Sequence, residues 1–161
     1  MEQGKFVLPL IKDRIKSFTQ LKDLLLQQQK ALVNSDTDQI TISSELQIDC
    51  MEKIQELENK WQKLIIDIKS RHNLQTAEAD YVISLALNDE DSDRVFAYLG
   101  QIKRLIGEIE TTKRNNTLLI NNSLSIIRST IKHLQGDRAV DAVYHPFRKQ
   151  INNYALLNKK L

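Results

Sequence analysis

The sequence predicts an all-α fold: an elongated antiparallel helical bundle of three long helices, with a short connecting helix and a partly ordered C-terminal tail. Three observations predict it. Apolar residues recur at steps of three, four and seven along most of the chain, the period of a helix face and not of a strand. The 161 residues hold only 4 Gly and 2 Pro, with 6% aromatics, too few turn formers and strand formers for a sheet-rich protein. The turn signals that do occur sit between the periodic stretches, as bundle connections require.

A first helix is predicted from Leu8 to Val33, with Ile11, Ile15, Phe18, Leu21, Leu25 and Leu32 along one face. Asn34, Ser35 and Asp36 then supply a turn, and Ser35 or Asp36 a cap for the free amides of the next helix. That second helix is predicted to reach about Ser70, with Ile40, Met51, Ile54, Leu57, Trp61, Leu64 and Ile68 turned inward. So short a connection makes the two helices an antiparallel hairpin. From Arg71 to Asp93 the pattern breaks. "TAEADYVISLAL" is read as a short helix and "NDEDSD" as an acidic loop that also caps the next helix. The third long helix is predicted from Ser92 to Gln135, on the order of 60 Å, with Gly136 suited to a left-handed closing position. Two parts follow: a helical bundle domain over 1–136 and a C-terminal docking tail over 137–161, where Pro146 interrupts any helix.

The stretch "NNTLLINNSLSIIRSTIKHLQG" (115–136) carries more asparagine than a helix favours. Upstream, Val95, Leu99, Ile102, Ile106 and Ile109 form a narrow coiled-coil-like seam. In the same register the seam continues through Lys113, Asn116, Ile120, Ser123, Ile127, Thr130 and Leu134, so it acquires a polar centre line. Its flanks turn apolar instead, with Leu119 and Ile126 on one side and Leu124 and Ile131 on the other. Asn115, Asn121 and Asn122 fall on the far side, and only Asn116 enters the seam. The helix therefore changes its mode of contact, from a stripe for one neighbour to a face wide enough for two. The pattern leaves two readings open: bundle core registered by a buried Asn116, or a groove for a partner helix.

Charged residues make up 27% with mixed sign and net charge +2, which gives no support to a nucleic-acid partner. One cysteine, Cys50, excludes an internal disulfide, fits a reducing compartment and is read as a buried structural thiol. No apolar run approaches the roughly 20 residues of a transmembrane segment, and "MEQGKFVLPLIKDR" makes a poor signal peptide, so a cytoplasmic location is expected. His72, His133 and His145 are not spaced as a metal site, no phosphate-binding glycine loop occurs, and no cofactor is expected. Glu56, Glu58, Glu108 and Glu110 read as solvated charge, and Trp61 as core. A histidine phosphotransfer domain is a helical rival, but in "KHLQG" Gly136 follows His133 too closely, Gln135 replaces its lysine, and the helix ends there. No catalytic residue is assigned, and the protein is not expected to be an enzyme.

Several stretches together resemble the FlgN-type flagellar type III export chaperones. In the long helix, Asn115, Leu118, Leu119, Leu124, Ile127, Ile131 and Leu134 are similar to that family's pattern. Upstream, "LLLQQQKALVNSD" with Ala31, Leu32 and Asp36 resembles its first-helix ending, and "MEKIQELENKWQKL" its Leu57–Glu58 pattern. Tyr144 stands where the family has a tyrosine after the long helix. The chain departs from the family at Pro146, in place of a glycine-containing turn, and at Gln47, in place of a lysine. The resemblance implies a cytoplasmic chaperone that binds the C-terminal helices of the hook–filament junction proteins FlgK and FlgL. It implies delivery to the export gate, the cytoplasmic domain of FlhA, with Tyr144 and Phe147 in docking. Client binding is expected at Asn116, Leu119, Ile120, Leu124, Ile127, Ile131 and Leu134. The alternative is a structural coiled-coil adaptor or homodimer with no secretion client, and the sequence leaves monomer and homodimer both open.

Overall fold

The computed structural model describes residues 4–74 and 76–135, and these form four helices in the order α1 (Gly4–Val33), α2 (Thr37–Arg71), α3 (Ala79–Ala86) and α4 (Asp89–Gln135). The predicted closing role of Gly136 and the tail over 137–161, with Tyr144 and Phe147, lie outside the described residues. The all-α class is as predicted, and the chain divides into two units, Met1–Thr117 and Leu118–Leu161.

In the first unit, α1 and α2 run antiparallel. Contacts step down α1 as they step up α2: Gln28 meets Ser44, the Leu24 carbonyl accepts from Gln47, the Ser17 carbonyl accepts from Cys50, and Arg14 meets Glu58. The first part of α4 lies parallel to α1, because Lys22 pairs with Glu108 and Leu25 with Asn116. The core between them is built from Val7, Ile11, Phe18, Leu21, Leu24 and Leu25 of α1, Cys50, Ile54, Trp61 and Ile65 of α2, and Val95, Ile102, Leu105 and Ile109 of α4. From α3, the buried Ile83 joins this core.

The turns explain how the chain reverses so tightly. After α1, the Asp36 amide donates to the Ala31 carbonyl and the Ser35 amide to that of Leu32, with Ser35 left-handed at φ 55°. This is a Schellman closure, made here without glycine. Asp36 then starts α2 at once: its carboxylate accepts from the Gln39 amide at 3.1 Å. The end of α2 repeats the motif, with Asn73 at φ 54° and the Leu74 amide donating to the Lys69 carbonyl at 2.9 Å.

Two helices start a turn before their predicted positions. α1 begins at Gly4 and carries Pro9 inside it. Pro9 deprives one carbonyl of its helical donor, and the added turn buries Val7 beside Ile11. α4 begins at Asp89: Asn88 Oδ1 accepts from the Asp91 amide at 2.7 Å, and Asn88 Nδ2 donates to the Asp91 carboxylate. The acidic run is thus the first turn of the helix, where carboxylates meet the positive end of its dipole.

Candidate functional site

Asn116 is the polar residue that the heptad pattern carries into the seam, and it is buried in the first unit, 3% exposed. Its Nδ2 donates to the Leu25 carbonyl at 2.9 Å and to Gln28 Oε1 at 3.0 Å. Gln28 Nε2 donates in turn to Ser44 Oγ at 2.9 Å, and Ser44 Oγ to the Ile40 carbonyl at 2.6 Å. Every donor in this relay points the same way, from α4 through α1 to α2. The main-chain carbonyl of Leu25 can only accept, which fixes the orientation of the Asn116 amide.

A second buried polar cluster lies nearer the start of α1. Arg14, 6% exposed, makes a bidentate pair with Glu58 at 2.7 and 3.0 Å, and its guanidinium lies 4.8 Å from the centre of the Trp61 ring. Glu58 is therefore not the solvated charge expected of it, whereas Glu108 is exposed as expected and pairs with Lys22 at the surface at 3.0 Å. Burial pushes the Cys50 thiol up from its ordinary value, against the opposing effect of Lys53. Burial also lowers the Lys113 ammonium, with Glu110 opposing. Both polar clusters hold helices together. A shallow open dent lined by Arg104, Gly107, Glu108, Thr111 and Thr112 lacks the apolar enclosure of a ligand site. Among the described residues no group of His, Cys, Asp or Glu could hold a metal ion, and no helix is long and apolar enough to cross a membrane.

Leu118–Gln135, the described part of the second unit, behaves differently. None of its residues is buried. Leu118, Ile126, Ile127 and Leu134 are 56%, 67%, 52% and 79% exposed, while Leu119, Ile120, Leu124 and Ile131 are half-buried. On a helix, Leu119, Ile120, Leu124, Ile126, Ile127, Ile131 and Leu134 share one side, with Ser123 and Thr130 along its middle. The structure thus brings six of the seven expected client-binding residues onto one helical face and places the seventh, Asn116, in the bundle interior. Sequence reasoning missed Arg14, Gln28 and Ser44, although each falls in phase with an apolar stripe, the signal that would have found them.

The FlgN family model, described as FlgN protein, matches residues 4–149. Comparison with curated proteins and with solved structures gives no match.

Proposed function

This chain belongs to the FlgN family, and from that membership we propose that it is a cytoplasmic export chaperone, binding the C-terminal helices of the junction proteins FlgK and FlgL and delivering them to the cytoplasmic domain of FlhA. The observation that supports the reading is the apolar face of Leu118–Gln135, on which Ile126, Ile127 and Leu134 are exposed and no side chain is buried, whereas the first unit gathers its apolar stripes into a buried core. Contiguous exposed apolar surface on a helix is what a partner helix covers, reading it at steps of three, four and seven.

The work of such a site is binding alone, and no catalytic group takes part. A client helix that would otherwise associate with its own kind lays its stripe on Leu119, Ile120, Leu124, Ile127, Ile131 and Leu134. Apolar area removed from water stabilises the pair by roughly 25 cal/mol per Å², less the cost of immobilising both partners. Ser123 and Thr130 interrupt the centre of the face, which keeps the contact short of a permanent seam and lets the client leave. Asn116 fixes the register of α4 on α1 rather than touching the client. Tyr144 and Phe147 are the proposed gate-docking residues.

The test is size-exclusion chromatography with light scattering, mixing the full chain with C-terminal fragments of FlgK and FlgL from the same organism. A stable complex that Ile127→Asp abolishes is the expected result. A tight dimer of the chain alone that takes up neither fragment would overturn the reading in favour of a structural adaptor.

A further inference from the structure

The binding face leaves the asparagines of the long helix without a role. Asn121, Asn122, Ser125 and Ser129 lie on the side of α4 away from that face, and all four are exposed, so packing does not dictate them. The solvent side of α2 carries strong helix formers instead, as at Glu52, Lys53, Glu56 and Lys60. Asn and Ser weaken a helix, because their side chains compete for its backbone groups. The apolar face adds Ile120, Ile126, Ile127 and Ile131, whose branched side chains lose freedom in a helix. Thr130 Oγ1 donates to the Ile126 carbonyl at 2.9 Å, a back-bond that weakens the helix further. Across 118–135 there is no Ala and no Glu.

Packing does not offset this weakness. A helix in a folded protein owes most of its stability to burial of its apolar face. Along α4 the buried residues are Ser92, Val95, Ile102, Leu105, Ile109 and Asn116, and none lies beyond Asn116. A helix continued from a packed turn is spared nucleation, but residues of this kind propagate it roughly two- to threefold less well than Ala. Resting on the chaperone reading, we propose that 118–135 folds on binding: in the free chain its helix opens from Gln135 back towards Asn116 while the bundle stays closed, and the client helix closes it by burying the apolar face. Asn116, held by the Leu25 carbonyl and Gln28, is where the opening stops. Ordering the segment takes up part of the contact energy, so the chaperone can hold a client and still release it.

The test is hydrogen exchange read by mass spectrometry on the full chain, alone and with the C-terminal fragments of FlgK and FlgL. In the free chain the amides of 119–135 should be at least about tenfold less protected than those of 18–25 in α1, and a bound fragment should raise their protection about tenfold or more. The N121A/N122A/S125A/S129A variant changes only the solvent side. It should raise protection of the segment in the free chain and tighten fragment binding severalfold, because less ordering remains to be done on binding. Protection of 119–135 equal to that of α1 in the free chain would overturn the inference and leave the chaperone reading standing. So would a quadruple variant with raised protection and unchanged affinity. Fragments that fail to bind, with the free segment still unprotected, would remove the named clients and keep the opening.

Discussion

Asn116 Nδ2 lies 3.0 Å from Gln28 Oε1, a hydrogen bond that joins residues 88 apart in sequence and ties α4 to α1 inside the core. Through Gln28 and Ser44 the same relay reaches α2, so one polar layer registers three helices. Bundles commonly use a buried asparagine this way, giving up some stability for a single alignment.

Asn116→Ala should therefore destabilise the protein by about 1–3 kcal/mol, because Gln28 Oε1 and the Leu25 carbonyl lose their donor in a buried setting. A double-mutant cycle with Ser44→Ala should show coupling through Gln28 of about 0.5 kcal/mol or more. Additive losses in urea denaturation would mean that the two ends of the relay act independently.

The Arg14–Glu58 pair should respond unequally to removal of its two partners. The Arg14 side chain is 7% exposed and that of Glu58 31%, so Glu58 can turn to water when left alone and Arg14 cannot. Glu58→Gln is expected to cost about 2–4 kcal/mol by weakening the pairing of a buried cation, and Arg14→Met clearly less. The chain's single tryptophan reports on the site, since Arg14→Met removes a cation from its ring. Denaturation curves followed by Trp61 emission check both points.

Much of this arrangement was legible in the sequence. The three long helices follow from apolar spacing, and the tight α1–α2 turn follows from Asn34–Ser35–Asp36. The apolar run from Leu119 to Leu134 was visible as a change in stripe width, since width depends on residue type alone. What the heptad reading misplaced was the line of burial on α4: it chose Ile106, which is 37% exposed, where Leu105 is 7% exposed. Leu105 belongs to the core cluster and Ile106 does not, so the buried line of α4 is shifted by one residue from the predicted seam. The Arg14–Glu58 and Gln28–Ser44 pairings were illegible because they depend on which turns of α1 and α2 lie side by side.

The buried Cys50 and the half-buried Lys113 predict opposite trends in alkaline solution. Cys50 has its thiol raised by burial, so the unfolded chain ionises first and the protein loses stability as pH climbs past about 9. Lys113 has its ammonium lowered by burial, so the folded chain releases that proton first and this contribution to stability rises as pH approaches about 10.5. Cys50→Ala should flatten the loss above pH 9, and Lys113→Gln should steepen it. Urea midpoints between pH 7 and 10.5 give both slopes, and identical profiles in all three proteins would contradict both assignments.

Tyr144→Ala should leave helicity and client binding unchanged while weakening association with the FlhA cytoplasmic domain severalfold. The reason is a division of labour: apolar side chains on the Leu118–Gln135 face hold the client, and the tyrosine is assigned to the gate. Ile127→Asp is the counterpart. Ile127 is 52% exposed, so the substitution should shift folding stability by no more than about 0.5 kcal/mol, while client affinity falls more than tenfold. Circular dichroism melts beside calorimetric titration of both partners separate the two effects. Unfolding of Tyr144→Ala would make the tyrosine a core residue, and unchanged client affinity in Ile127→Asp would take the face out of the binding site.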